Sequence, residues 1–340
     1  MSRNRVLGVK NLSVRYQTQK GPVHAVNDVS FDVFQDEVFG IAGESGCGKS
    51  TLIRALMRLL PETAVVTANE ITLAGLNLET TPEKSFREEV LWSKMSLVPQ
   101  SAMNSLNPVY RVGQQIVESI QAHSSKTNAE ARERTKELFN IVGLQPDLMD
   151  NYPHEFSGGM RQRAMIAMSL ALDPGLIIMD EPTTGLDVLV QERILRRIRE
   201  IREEISSSII LITHDIAVIA EMSDRIAVMY GGYLMEQAPA VDLFETPCHP
   251  YTLGLKNAFP SIRSKEQELI SIPGSPPTLT GEFKGCPFWE RCPFRIERCS
   301  HETPPIEKLA EFHEVRCFRH SDSPQLRKLA SKKGTWLSSV

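Results

Sequence analysis

The chain has 340 residues, 41% hydrophobic and 24% charged, with a formal net charge of −4. That length allows two domains or one large one, and the balance is that of a globular protein with a real core. The charge excludes a globally basic nucleic-acid binder. No apolar run reaches the roughly 18 residues that span a bilayer, and the opening stretch MSRNRVLGVKNLSVRY has no export-signal pattern. A cytoplasmic setting is expected, where structural disulfides are disfavoured.

The first strong element is VFGIAGESGCGKSTLIRALMRLL. Val38 to Ala42 reads as a short buried strand, Gly43 to Gly48 as a glycine-rich turn, and Lys49 onward as a helix with Leu52, Ile53, Leu56, Leu59 and Leu60 on one face. The spacing Gly43-x4-Gly48-Lys49-Ser50 is that of a P-loop. Glycines let backbone N–H groups of Gly43, Ser45, Gly46, Cys47, Gly48 and Thr51 converge on phosphates, and the helix N-terminus adds its positive end. Lys49 is expected to reach the β- and γ-phosphates, and the Ser50 hydroxyl to ligate Mg²⁺.

Next comes the strand MSLVPQ, ending in Gln100, and then an insert over 101–156. Its opening, SAMNSLNPVY, reads as a polar loop; residues 129–144 read as a helix with Ala131, Leu138, Ile141 and Val142 on one face. Ser157-Gly158-Gly159 then opens a helix expected from about Met160 to Leu172, with Ser157 as N-cap and free N–H groups that form a second anion site. Leu176 to Met179 is a continuous apolar run, as in a buried parallel strand, and ends in Asp180 and Glu181. Ligands of open α/β sheets sit at the carboxyl ends of strands, so both acids are expected at the crevice of the P-loop. Asp180 would hold Mg²⁺ through water, and Glu181 would polarise an attacking water.

Together these motifs resemble the nucleotide-binding subunit of an ABC transporter over residues 6 to about 240. Residues 43–51 match the Walker A motif, Gln100 the Q-loop, Ser157 to Met160 the signature, Asp180-Glu181 the end of Walker B, Gly185-Leu186-Asp187 the D-loop, and His214 the switch histidine. Tyr16 lies where the family stacks an aromatic on adenine. Met160 replaces the usual glutamine and removes one amide from the signature. The resemblance implies an α/β fold, with a RecA-like sheet plus a helical signature subdomain. It also implies ATP as ligand, Gln100 reaching Mg²⁺ and a membrane partner, and His214 on the γ-phosphate. Two cassettes would meet head to tail, each signature facing the other's ATP.

PQSAMNSLNPV, SGGMRQR, PTTGLDV, HPYTLGL, IPGSPP and GCPFWERCPF narrow the resemblance to dipeptide/oligopeptide transporter ATPases, up to about His320. The implied division is a cassette over 1–258, a Cys-containing extension over 259–322, and a flexible basic tail over 323–340. Four of the six cysteines lie in that extension, spaced Cys286-x5-Cys292-x6-Cys299-x17-Cys317. Zinc fingers prefer tighter pairs, and proline after Cys286 and Cys292 has a parallel in ferredoxins. Phe288, Trp289, Phe294, Phe312 and Phe318 would supply an apolar shell. A [4Fe–4S] cluster, which the resemblance also implies, Zn²⁺, and unligated buried thiols remain the alternatives; His301, His313 and His320 read as surface residues, with a role as substitute ligands as the alternative. Because the quartet lies outside every ATP motif, nucleotide binding is expected to be independent of it.

The implied function is that of an ATPase subunit powering di- or oligopeptide import from the cytoplasmic face of the inner membrane. Its expected partners are a second ABC ATPase subunit as a heterodimer, two membrane-spanning permease subunits and an extracytoplasmic peptide-binding protein, with no nucleic acid. The rival readings are an importer of oligosaccharide, glutathione or nickel, and a non-transport ABC ATPase with a redox-sensing cluster.

Overall fold

The structure, a computed structural model, describes residues 3–100, 102–258, 271–281 and 284–337. These fall into two compact units, one from 3–8, 32–38 and 71–212, the other from 9–31, 39–70 and 213–337. The expected extension beyond 258 is not a unit of its own: its described residues fold with the P-loop. The parts of that expectation at 259–270, 282–283 and 338–340 lie outside the described residues.

The unit containing 71–212 is organised on three parallel strands, Met95–Val98, Leu176–Asp180 and Ser208–Ile212, with Val98 opposite Met179 and Asp180 opposite Ile212. Every residue of the latter two strands is buried, which is why LIIMD and SIILI are almost continuously apolar. The insert supplies helices Val112–Ala122 and Asn128–Ile141. The second starts at a capping box, in which the Thr127 hydroxyl accepts from Glu130 N and the Glu130 carboxylate accepts from Thr127 N. Its Ala131 and Leu138, with Val142 just beyond it, are buried as the periodicity predicts, and Ile141 is half-buried. The signature helix spans Gly158–Ser169. It starts two residues before the expected Met160 because the Ser157 cap sets the first turn, its Oγ accepting from Met160 N at 3.3 Å.

In the other unit the P-loop strand, Val38–Ala42, runs parallel to Arg225–Tyr230, with Phe39 opposite Arg225 and Ala42 opposite Val228. Arg225–Tyr230 turns through Gly231-Gly232 into the antiparallel strand Tyr233–Pro239. To that strand the C-terminal segment adds His313–Val315 and then Glu307–Ala310. Residues near 280 also join the N-terminal strands: His24 N donates to Leu279 O at 2.8 Å and Gly281 N to Pro22 O at 2.9 Å.

One apolar core unites these parts. It contains Ala42, Val228, Tyr230, Met235 and Tyr251 together with Phe288, Cys292, Phe294, Leu326 and Trp336. The basic stretch expected to be a flexible tail is helical over Ser323–Ala330 and Lys333–Leu337. Leu326, Ala330 and Trp336 are the reason. All three are buried, and the Trp336 indole N–H donates to Ala330 O at 2.8 Å. A lysine- and arginine-rich composition hid an amphipathic pattern of only three apolar positions.

Candidate nucleotide-binding site

The P-loop has the form its spacing predicts. Gly43, Gly46 and Gly48 stand at φ 152°, 80° and 107°, a region open to glycine. A side chain on Gly43 would run into the Met229 carbonyl, and one on Gly48 into that of Ala25. Helix Lys49–Leu56 follows directly. Lys49 is buried, and its ammonium donates to Gly43 O at 2.8 Å and Glu44 O at 3.1 Å, folded back over its own loop. Cys47 is also buried; desolvation raises its thiol pKa, with Lys49 opposing. Tyr16, half-buried, brings its hydroxyl within 3.3 Å of Thr51 Oγ1. His214 is exposed, just ahead of the helix Ile216–Met222 that Asp215 caps.

In the other unit Asp180 is buried at the end of its strand and Glu181 follows at φ 49°. A non-glycine residue there carries local strain, a pattern that clusters at functional sites. The Glu181 carboxylate is oriented by two donors: Gln100 Nε2 at 3.0 Å and Thr184 Oγ1 at 2.8 Å, both to Oε2. Gln100 and Glu181 are thus brought together. Thr184 is not among the residues the motifs single out, although PTTGLD sets its hydroxyl three residues after the acid. Asp187 caps helix Val188–Glu204 by accepting from Val190 N at 3.0 Å. Beside Ser157 and Gly159 lies a cavity of about 300 Å³, lined also by Arg163, Arg193 and Arg197. Burial, and then the charges of Arg193 and Arg197, lower the Arg163 pKa.

The six cysteines are all free thiols. Cys286, Cys292 and Cys317 each lie near enough to other thiols of the quartet, Cys299 among them, that these contribute to raising their pKa. Burial is the largest cause of their shifts: Cys286 and Cys317 are pushed up to about 12 and Cys292 well above its ordinary value. Backbone N–H groups nevertheless point at the sulfurs, from Phe288 and Trp289 to Cys286, from Phe294 to Cys292, and from Arg319 to Cys317. The expected apolar shell holds for Phe288 and Phe294, which are buried. Trp289, Phe312 and Phe318 carry the guanidiniums of Arg295, Arg225 and Arg298 over their rings, at 5.0, 5.0 and 4.1 Å.

The segment also reaches the P-loop itself. Arg291, between Cys286 and Cys292, donates from both terminal nitrogens to the Glu44 carboxylate, at 2.7 and 3.1 Å. Burial works against the guanidinium's charge, but the bonds to Glu44 and Tyr230 overcome it and raise its pKa. The cysteine segment, although outside the nucleotide motifs in sequence, therefore touches the P-loop through Arg291.

His313 is also corrected: it is buried, not on the surface. Its Nε2 pairs with Glu236 at 2.9 Å, and Glu236 further accepts from the backbone N–H groups of Cys248 and His249. Glu236, Cys248 and His313 lie close enough to share a cation, but the hydrogen bonds already made by the carboxylate account for their burial.

Comparison with known proteins bears on the whole chain. Residues 26–184 match the ABC transporter family, and residues 235–299 match the C-terminal region of oligopeptide/dipeptide transporters. An oligopeptide transport ATP-binding protein of Escherichia coli is 42% identical over 92% of this chain and 93% of its own. A dipeptide transport ATP-binding protein of Bacillus subtilis is 41% identical over 92% and 94%. Among solved structures, a dimeric bacterial ABC transporter cassette shares the fold at a TM-score of 0.61 and 24% identity, covering 69% of this chain and 98% of that one. Part of an ABC transporter complex from Clostridium perfringens does so at 0.61 and 27%, covering 72% and 92%.

The His313 pair has a pH signature. Hydrogen bonds to the Cys248 thiol and then to Glu236 push His313 up to about 10 from 6.5. A raised pKa stabilises the fold below the unfolded value, and that stability is lost as pH rises through the folded one. His313→Gln should therefore cost stability at about pH 6 and progressively less toward about pH 10.5. Denaturant midpoints of both proteins across that range should converge; a constant gap would contradict the buried ion pair.

Proposed function

The chain belongs to the ATP-binding subunits of ABC transporters of the oligopeptide/dipeptide group, and from that membership we propose that it hydrolyses ATP to drive uptake of short peptides. The observation that favours peptides over oligosaccharide, glutathione or nickel is the match of residues 235–299 to the peptide-transporter C-terminal region. In this reading the amides of Gly43, Ser45, Gly46, Cys47, Gly48 and Thr51, with Lys49, hold the phosphates. Ser50 and Asp180 serve Mg²⁺, Glu181 polarises the attacking water, and His214 meets the γ-phosphate. Tyr16 stacks on adenine; its proximity to Thr51 supports that role.

Ser157, Gly158 and Gly159 face the ATP of a second cassette, with Asp187 at the same junction. Val188 and Leu189, 80% and 73% exposed beside Asp187, suit such a contact. Phosphoryl transfer needs positive groups all round the departing charge, which one cassette does not supply alone. The partner is a second ABC ATPase subunit, and two permease subunits and an extracytoplasmic peptide-binding protein complete the importer. No described helix is long and apolar enough to cross a membrane; in this reading the permeases supply the membrane spans and this subunit works on their cytoplasmic face. Val109 and Tyr110, exposed in the loop after Gln100, suit docking on a permease. Gln100 bonds directly to Glu181, so a permease acting on that loop would reorient the hydrolytic carboxylate.

The four cysteines form the family-specific extension's own site, and the residues fit a [4Fe–4S] cluster, with Zn²⁺ as the alternative. Four free thiols would supply one ligand per iron. The backbone N–H groups aimed at the sulfurs of Cys286, Cys292 and Cys317 are bonds of the kind that stabilise such ligands. Burial keeps these three as thiols, and a bound cation would displace their protons. The role is structural: a Pro-rich segment is held together where it meets the P-loop core.

Two measurements test these readings. Glu181→Gln keeps the side chain's shape but not its basicity, so the reconstituted complex should bind ATP and lose steady-state hydrolysis by at least about a hundredfold. Wild-type turnover would remove Glu181 from its role. Anaerobically purified chain should contain about four iron and four sulfide, and Cys286→Ser, Cys292→Ser, Cys299→Ser or Cys317→Ser should each lose them while Cys47→Ser and Cys248→Ser do not. One zinc per chain would replace the cluster with a zinc site, and no metal would leave buried thiols.

A further inference from the structure

The P-loop carries an acid, Glu44, immediately after Gly43 and five residues before Lys49. A carboxylate there is a liability. It repels the phosphates that the loop exists to bind and offsets the positive charge that Lys49 offers them. The structure answers with Arg291. Its fork takes both Glu44 oxygens, and the pair is shielded: the side chains are 8% and 25% exposed. A paired, bidentate guanidinium is the geometry in which a carboxylate's charge is most fully satisfied.

Arg291 is itself fixed on its other sides. It donates to Pro273 O at 2.8 Å, Ile272 O at 3.3 Å and the Tyr230 hydroxyl at 3.1 Å. Tyr230 is packed against Tyr251 and Phe288, with ring centroids 4.6 and 5.2 Å away. Tyr251 closes the circuit, its hydroxyl accepting from Glu44 N at 3.0 Å. Burial raises the Tyr251 pKa, keeping that hydroxyl neutral. Glu44 is thus held at its amide by Tyr251, at its carbonyl by Lys49 and at its carboxylate by Arg291.

We propose that Arg291, presented by the cysteine-bearing segment, is a positioning residue of the nucleotide site: it neutralises Glu44 and fixes the P-loop so that the loop and Lys49 are available to a polyphosphate. The proposal rests on the ATPase reading and does not depend on what the four thiols hold. It makes the C-terminal segment part of the ATP site, although Arg291 touches no nucleotide.

The charge argument gives a sign that a packing role would not. In the full-length chain, with Mg²⁺ and a fluorescent non-hydrolysable ATP analogue, Arg291→Met should weaken binding by about tenfold or more, because Glu44 is left bare. Glu44→Gln alone removes the repelling carboxylate but leaves the buried Arg291 guanidinium without its partner, so it serves as the background against which the loss of Arg291 is read. The double variant should recover to within about threefold of wild type although it lacks the same arginine. Should Arg291→Met fail to fold, Arg291→Lys takes its place. A single ammonium cannot span both oxygens, so it should bind less tightly than wild type, and Glu44→Gln should relieve that loss too. Wild-type affinity in Arg291→Met, or in Arg291→Lys where the lysine variant has replaced it, would overturn the proposal. So would a double variant no better than the arginine variant alone. A wild-type chain that binds no analogue would instead overturn the ATPase reading on which it rests.

Discussion

The structure turns on how a loop that must bind a polyanion tolerates a carboxylate of its own. The amides and Lys49 offer the phosphates positive charge, and Glu44 subtracts from it. A loop built on three glycines at positive φ has little stiffness of its own. Its shape is imposed from outside, by Ala25 and Met229 carbonyls packed against the glycines and by Tyr251 and Arg291 on Glu44. The residues that shape the P-loop are thus spread from the N-terminal strands to the C-terminal segment.

That dependence explains why the C-terminal residues do not form a body of their own. The strands Glu307–Ala310 and His313–Val315 extend the same sheet as the P-loop strand, through Tyr233–Pro239 and Arg225–Tyr230. Phe288, Phe294 and Trp336 share a core with Ala42 and Tyr251. The Glu236–His313 pair fastens the added strands from within, where an unpaired charge would be costly. A small segment with few apolar residues gains its stability from an existing core.

What the sequence revealed was local. Strand–loop–helix at 38–56, the apolar strand ending in Asp180-Glu181 and the Ser157 cap are each contained in some twenty residues, where spacing maps directly onto geometry. What stayed hidden was long-range. Arg291 and Glu44 are 247 positions apart, and in sequence Arg291 is one more charge in a Cys-rich stretch. His313 read as a surface residue because nothing nearby announces Glu236, 77 positions away. Ser323–Ala330 read as a tail because its buried face is too short for periodicity to stand out against its basic residues. The four cysteines lay between these cases. Their spacing is legible in sequence, and the burial of Cys292 and Cys299 comes only with the fold.

In the proposed arrangement the cysteine-bearing segment belongs to the nucleotide site. Amide hydrogen exchange of the full-length chain, with and without Mg²⁺ and a non-hydrolysable ATP analogue, reads this directly. Protection should rise at residues 43–51 and, with it, in peptides covering 285–299, because Arg291 and Glu44 are one hydrogen-bonded unit. Protection confined to the loop, with 285–299 exchanging alike in both states, would contradict it.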